Sequence, residues 1–366
     1  MTTLRFHAPY MEWAKARPAA RFDLAGSNIQ ACSIDEIPGI RDAIGFDGNN
    51  ENGYEPLLDA IASQYGLDAA QVTTAQGASG ANFLACAALL EPGDDVLVET
   101  PGYDPLLGAP RLLGAHVNQF VRDFDEGFAL DPERVERALT PRTRLIIITN
   151  PHNPSGVLAD PDALDAIGRI ARAHGAHVLL DEVYLDVAQA STAGRGVEAI
   201  HSFAHRSDVF VCTNSLTKSY GLSGLRCGWI LSSAEVADRI RRTRDVVDGT
   251  GSIVSERLAV AAFGHLGRLL RRATSRLETN RPIVDDFLRA RDDLAWAPSS
   301  GTVVFPRVRR ANDTSAFAER LLKEHQTAVV PGRFFQAPGH VRIGFGGPTD
   351  SLRNGLRAIA ELLDQI

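Results

Sequence analysis

The segment SLTKSYGLSGLRCGWI, residues 215–230, places one lysine, Lys218, behind the apolar run DVFVC and among small and hydroxylated residues. A lysine in such a setting can be a buried amine; the plain alternative is a surface lysine in a polar loop. Burial disfavours its charged form, and the neutral amine is nucleophilic enough to form a Schiff base with an aldehyde. Ser215 lies three residues before it and Arg226 eight after, a hydroxyl and a guanidinium suited to hold a phosphate. The chemistry implied is that of an aldehyde cofactor bearing a phosphate, as pyridoxal phosphate does.

Other segments carry groups that such a cofactor needs. In DEVYLD, Asp181 directly follows an apolar run, where a carboxylate must find a partner or lose its charge. A protonated pyridine nitrogen is such a partner, and keeping it protonated makes the ring an electron sink for a carbanion at a substrate α carbon. In ETPGYDPL, Tyr103 follows a Pro-Gly turn and is placed to stack on a flat ring. NPHNPSG, residues 150–156, has two Asn-Pro steps and a glycine, which fix a turn instead of continuing a helix. QGASGANFLACAALL joins a glycine-rich turn to an apolar helix; the free N–H groups of a helix start attract phosphate, with the Ser79 hydroxyl as a further donor. GHVRIGFGG sets Arg342 inside an alternating strand, where a bidentate bond to a carboxylate relieves the cost of an unpaired guanidinium. Taken singly, each has a plain structural reading as a turn, a cap, packing or a salt bridge; their joint occurrence favours the chemical one.

These residues need elements to position them. Short apolar runs end just before each of them: DVLV before ETPGYD, RLIIIT before NPHNPSG, HVLL before DEVY, and DVFVC before TNSLTK. Helical patterns lie between, such as ALDAIGRIARAHG, with Leu164, Ile167 and Ile170 on one face and Gly175 at its end. The alternation predicts an α/β fold, a mostly parallel sheet sandwiched by helices, whose strand ends bring Tyr103, Asn153, Asp181 and Lys218 to one edge. The arginine-rich stretch AEVADRIRRTRDVV reads as a helix with a solvated face. Beyond it, TVVFPRV and HVRIGF flank the helix TSAFAERLLKEHQ and predict a smaller α+β domain. The expected division is a large domain over 38–249 and a small one from 1–37 plus 250–366, in keeping with a chain of 366 residues.

Apolar residues make up 44% of the chain and charged residues 23%, as in a globular protein. The net charge of −7 provides no basic field for nucleic acid or an anionic membrane. Cys32, Cys86, Cys212 and Cys227 are scattered with no CxxC spacing, so neither a metal site nor a disulfide framework is signalled. Met1–Tyr10 lacks an apolar signal core and no window is apolar enough to span a membrane, so the expected location is the cytoplasm.

The SxxK string with its arginine eight positions later, together with the PGY, NPHNPSG, DEVY and PGxxF segments, resembles the class I/II aminotransferases, the fold-type I pyridoxal phosphate enzymes of the aspartate aminotransferase-like superfamily. The resemblance runs from about Gly26 to Arg342. It implies that Lys218 carries pyridoxal 5′-phosphate as a Schiff base, and that the backbone of Gly77, Ala78 and Ser79 grips the phosphate with Ser215 and Arg226. It further implies that Tyr103 stacks on the ring, Asp181 holds the ring nitrogen, and Asn153 and Tyr184 donate to the ring hydroxyl oxygen. Arg342 would bind the substrate α-carboxylate, with Asn153 and the loop starting at Gly26 beside it. Lys218, Asp181 and Tyr184 would be the catalytic set.

The activity so implied is transfer of an amino group between an L-amino acid and a 2-oxo acid, in a homodimer. Two alternatives stand beside it: another pyridoxal phosphate reaction on an amino acid (cyclisation as in capreomycidine formation, elimination or decarboxylation), and a non-catalytic ligand sensor on the same fold. One departure from the family pattern is Gly48, in GNNENGYEPLLDAIA, where many relatives have a tyrosine that reaches the neighbouring subunit's phosphate. Asn49, Asn50 and Tyr54 are the candidates to replace it.

Overall fold

The computed structural model describes residues 7–192 and 201–365, so the expectation for Met1–Tyr10 falls partly outside it. Seven strands form the main sheet: β1 (Val72–Gln76), β2 (Asp95–Thr100), β3 (His116–Val121), β4 (Thr143–Thr149), β5 (His177–Asp181), β6 (Phe210–Ser215) and β7 (Cys227–Leu231). Their order across the sheet is β1-β7-β6-β5-β4-β2-β3. Only β7 runs against its neighbours; β6, β5, β4, β2 and β3 are successively parallel.

Strands β2, β4, β5, β6 and β7 are buried on both faces and carry mostly apolar runs, whereas the edge strand β3 is largely exposed or half-buried. Within β4, side chains alternate between two cores. Ile146 and Ile148 pack with Leu164, Ile167 and Ala171 of the helix Pro161–His174. Leu145 and Ile147 pack with Ala81, Leu84 and Ala85 of the helix Gly77–Leu89. The first of these helices is capped by the Asp160 carboxylate, which accepts from the Asp162 N–H, and ends at Gly175 with φ +69°. Ile170, expected on its core face, is only half-buried; Gly168 lies there instead, because an added Cβ would meet the Phe210 ring at 2.8 Å.

The smaller unit holds the antiparallel strands Val303–Val304, Val341–Gly344 and Val330–Pro331, with the helices Ser315–His325 and Thr349–Leu363. Phe22–Asp23 joins it by pairing with Thr327–Ala328. The long helix Leu266–Arg289 belongs to both cores. Its Leu266, Leu269 and Leu270 pack with the large sheet, while Ala273, Leu277, Val284 and Leu288 pack with the small unit. Ala259 and Ala262 also lie in the large core. We therefore propose that the large domain continues through Leu270.

The helix Ala234–Val247 departs from its solvated reading at one arginine. Arg244 is buried; its Nη1 donates to Thr74 Oγ1 at 3.0 Å and its Nη2 to the Glu51 carbonyl at 3.3 Å. No helix among the described residues is long and apolar enough to cross a membrane.

Gly228 in β7 faces the start of the helix Gly77–Leu89 so closely that an added Cβ would collide with the Gly77 backbone. Gly228→Ala is expected to lower stability by about 1–3 kcal/mol. Urea denaturation checks it, with unchanged stability as the contrary result.

Candidate active site

The carboxyl ends of β2, β4, β5 and β6 lie side by side, and the residues that follow them converge. Asp181 closes β5 between Thr149 of β4 and Thr213 of β6. It is 4% exposed. Asn82 Nδ2 donates to its Oδ2 at 2.9 Å, and the Val183 N–H to its Oδ1 at 3.3 Å. Asn82 is itself oriented by Thr213 Oγ1, which donates to its Oδ1 at 2.6 Å. Both donors to Asp181 are neutral. Desolvation therefore dominates and pushes its carboxyl upward, against the pull of Asn82, Val183 and the Lys218 charge.

Lys218 follows β6 and turns into the same cleft. Its Nζ donates to Asn28 Oδ1 at 2.7 Å and to Ser27 Oγ at 3.2 Å, and lies 5.8 Å from the Tyr184 ring centre. Part of the side chain remains open to the cleft, yet the surrounding protein desolvates the amine and lowers it from 10.5 to about 8. Tyr184 OH donates to Ser27 Oγ at 2.9 Å, so one serine joins the lysine and the tyrosine.

The NPHNPSG turn presents Asn153, whose N–H donates to Thr149 Oγ1 at 2.8 Å. Its side-chain Oδ1 accepts from Arg342 Nη1 at 2.9 Å. Arg342, 1% exposed on the strand Val341–Gly344, also donates through Nη2 to Tyr10 OH at 2.7 Å and to the Ala25 carbonyl at 3.1 Å. His152 fastens this turn to the tyrosine loop: its Nε2 meets the Pro101 carbonyl and its Nδ1 meets Ser155 Oγ, each at 2.7 Å. Burial holds that imidazole well below its ordinary range, hence neutral. Tyr103 stands edge-on to Tyr10 with ring centres 5.7 Å apart and donates to Met11 Sδ at 3.3 Å.

A second group lies at the start of the helix Gly77–Leu89. Gly77 has φ +70°, and an added Cβ would collide with the Arg226 guanidinium. Arg226 Nη2 donates to the Gln76 carbonyl at 3.2 Å, leaving other N–H groups on an exposed side chain beside Gly77, Ala78 and the exposed Ser79. Ser215 is fully buried and accepts from the Thr217 N–H at 3.3 Å.

Four residues that sequence reasoning did not single out shape the site: Asn82, Ser27, Asn28 and Tyr10. Asn82 has a sequence signal, an amide in an apolar helix five positions after Gly77. Ser27 and Asn28 directly follow Gly26, whose exposed backbone offers no side chain to the amine. At Gly48, φ is +136° and an added Cβ would meet Ile253 Cδ1 at 2.9 Å, so this backbone suits glycine, not tyrosine. Asn50 is held in its own chain, donating to Glu256 Oε2 at 2.8 Å and the Gly251 carbonyl at 2.9 Å.

The family model described as aminotransferase class I and II matches residues 50–359. This chain belongs to that family. It is 30% identical to a capreomycidine synthase of Streptomyces vinaceus, over 97% of this chain and 93% of that protein. It is 31% identical to an arginine–pyruvate transaminase of Pseudomonas aeruginosa, over 82% of this chain and 77% of that one. Among solved structures, a PLP-dependent aminotransferase from Streptococcus suis superposes with a TM-score of 0.89 at 27% identity, covering 100% of this chain and 99% of the other. Members use pyridoxal 5′-phosphate, and this chain is a pyridoxal-phosphate-dependent enzyme.

The residues present fit that cofactor. A buried acid held only by neutral donors matches a cationic ring nitrogen, and the glycine that lets Arg226 lie over a helix start matches a phosphate.

Because the Lys218 amine sits near 8, roughly a tenth of it is neutral at pH 7, against well under a thousandth for an ordinary lysine. Lowering the value moves neutral amine to lower pH. Capture of pyridoxal phosphate by the cofactor-stripped protein is therefore expected to accelerate up to about pH 8 and level off. Stopped-flow absorbance measures it, with Lys218→Ala as the blank; a rate still climbing at pH 10 contradicts the assignment.

Proposed function

We propose that this protein is an amino acid:2-oxo acid aminotransferase in which Lys218 is the proton-transferring base. The observation that carries the reading is the meeting, in one cleft, of a lysine amine lowered to about 8, the buried acid Asp181, and the Asn153–Arg342 pair. When bound, the cofactor ring supplies a sink for the electron pair left on a substrate α carbon. Gly77, Ala78, Ser79, Ser215 and Arg226 hold its phosphate, Tyr103 flanks its ring, and Asp181 keeps its nitrogen protonated. Asn153 and Tyr184 hold its ring hydroxyl oxygen. Arg342, with Asn153, fixes the α-carboxylate beside the Gly26–Asn28 loop, presenting the Cα–H bond to Lys218. Lys218 Nζ takes that proton, and Ser27 and Asn28 supply oxygens that accept from the resulting ammonium. Hydrolysis, with water supplying the keto oxygen, would release a 2-oxo acid and leave the amino group with the cofactor, from which a second 2-oxo acid takes it up in reverse.

The similarity to capreomycidine synthase supports a second reading, cyclisation of an arginine derivative by the same residues. A screen of the common amino acids, run without a 2-oxo acid acceptor, separates them. Transamination is expected to release one 2-oxo acid per site and to bleach the cofactor's visible band. No 2-oxo acid from any of them favours cyclisation.

The reading includes a homodimer in the cytoplasm. Phe46 and Val246 are each 87% exposed, beside the exposed Ile44 and Val247. Arg244 on the Val246 helix bonds the Glu51 carbonyl, and Arg257 bonds the Ala43 and Asp47 carbonyls, so the segment bearing Ile44 and Phe46 is tied to the same part of the molecule as that helix. A second copy would cover these exposed apolar side chains. Phe46→Asp with Val246→Asp is expected to shift the protein from dimer to monomer in sedimentation; a wild-type monomer overturns this part.

A further inference from the structure

The arginine read as the carboxylate site is already engaged on one side by a residue of the first helix. In a guanidinium, the end-on fork uses Nη1 and Nη2, and the side-on fork uses Nε and Nη2, so every bidentate carboxylate takes one Nη2 hydrogen. Arg342 Nη2 spends its two hydrogens on Tyr10 OH at 2.7 Å and the Ala25 carbonyl at 3.1 Å. Nη1 keeps one hydrogen beyond its bond to Asn153, and Nε is buried with no hydrogen-bond partner among the described residues. Half of each fork is thus free and the other half is held.

Of the two acceptors on Nη2, only one can give way. The Ala25 carbonyl belongs to backbone fixed on both sides: before it, the Leu24 N–H donates to the Ala328 carbonyl and the Leu24 carbonyl accepts from the Gly344 N–H, and after it the Ser27 carbonyl accepts from Thr302 Oγ1 at 2.7 Å. Tyr10 is a side chain near the start of the short helix Pro9–Ala16. Its N–H donates to Asp104 Oδ2 at 2.9 Å, and its ring packs against Tyr103, Trp13, Phe334 and Phe335. This phenol is stapled to the loop that carries Tyr103 and placed over the guanidinium, with Arg342 Cζ 5.2 Å from its ring centre.

We propose that Tyr10 stands in for one carboxylate oxygen on Arg342 and must release it before a substrate α-carboxylate can bind. Tyr10 is then a specificity-determining residue. Any ligand has to replace a formed phenol–guanidinium bond, which a carboxylate, as a charged acceptor, does better than a neutral group. An amide or alcohol in its place gains little. The proposal rests on the reading of Arg342 as the carboxylate site.

Tyr10→Phe removes the hydroxyl and keeps the ring packing. The probes are 3-phenylpropionate and its neutral counterpart 3-phenylpropionamide, titrated calorimetrically into the holoenzyme. Tyr10→Phe is expected to bind the acid about 3- to 10-fold more tightly than wild type and the amide within about twofold. Equal or weaker binding of the acid overturns the proposal, since the hydroxyl would then be idle or a donor to the ligand. Arg342→Lys, which keeps the charge and loses the fork, tells the two readings apart. Acid binding undiminished in Arg342→Lys overturns the carboxylate site and the Tyr10 proposal with it; loss there without gain in Tyr10→Phe overturns the Tyr10 proposal alone.

Discussion

A carboxylate buried without a cation is costly, and the cleft is organised around one. Asp181 is desolvated at the end of β5 and, among the described residues, accepts hydrogen bonds from an amide and a backbone N–H. Such a group is retained where an opposite charge joins it, because the alternative is loss of its own charge. In the function proposed above, a pyridinium nitrogen would answer that need. The orientation is prepared beforehand: Thr213 sets the Asn82 amide so that its nitrogen, not its oxygen, faces the acid. A helix, two neighbouring strands and the acid are thereby tied into one unit that holds the carboxyl group fixed at the strand end.

The amine opposite must be displaced the other way, and a separate network holds it there. Asp186 is fully buried and accepts from Tyr220 OH at 2.6 Å, Tyr65 OH at 3.2 Å and Asn214 Nδ2 at 3.1 Å. Burial pushes its carboxyl up to about 6. Tyr220 follows Lys218 by two residues, and Ser219 Oγ donates to the Val183 carbonyl at 3.0 Å. The loop bearing the lysine is thus locked onto the turn that follows Asp181. The two networks meet at the Ser219–Val183 bond, which sets the amine relative to the acid, and burial raises the one group and lowers the other.

How much of this was legible in the sequence depended on range. The strands and their common edge were readable because each apolar run is short and is followed at once by its chemical residue. The family, the cofactor and the sheet followed from strings that are local. Ser27, Asn28 and Tyr10 were not readable as contacts: Ser27 and Asn28 lie 191 and 190 positions from Lys218 and Tyr10 lies 332 from Arg342, and nothing in their own neighbourhood signals these partners. Arg244 misled for the same reason. Helical periodicity gives a face but not what covers it, and the partner that buries this arginine, Thr74, comes from β1. Gly48 shows a third limit, since its positive φ and the nearby Ile253 are features of tertiary packing that a one-letter departure from a family pattern does not display.

Beneath the turn that carries Asn153 lies a buried ion pair, Glu99 with Arg122 at 3.0 Å. Desolvation pushes the acid up and the guanidinium down, so each of the two resists charge separately and depends on the other for it. The pair has a directional use. Glu99 Oε1 accepts from the N–H and hydroxyl of Thr149 at 2.7 and 2.5 Å, and Thr149 Oγ1 in turn accepts from the Asn153 N–H. A hydroxyl has one proton; with that proton committed to Glu99, its lone pairs can only face the turn. The chain of bonds therefore fixes the Asn153 backbone, whose side chain is bonded to Arg342 on the other unit. Orientation at the site passes from a charge pair inside the large sheet to the arginine of the strand Val341–Gly344 through two residues, Thr149 and Asn153.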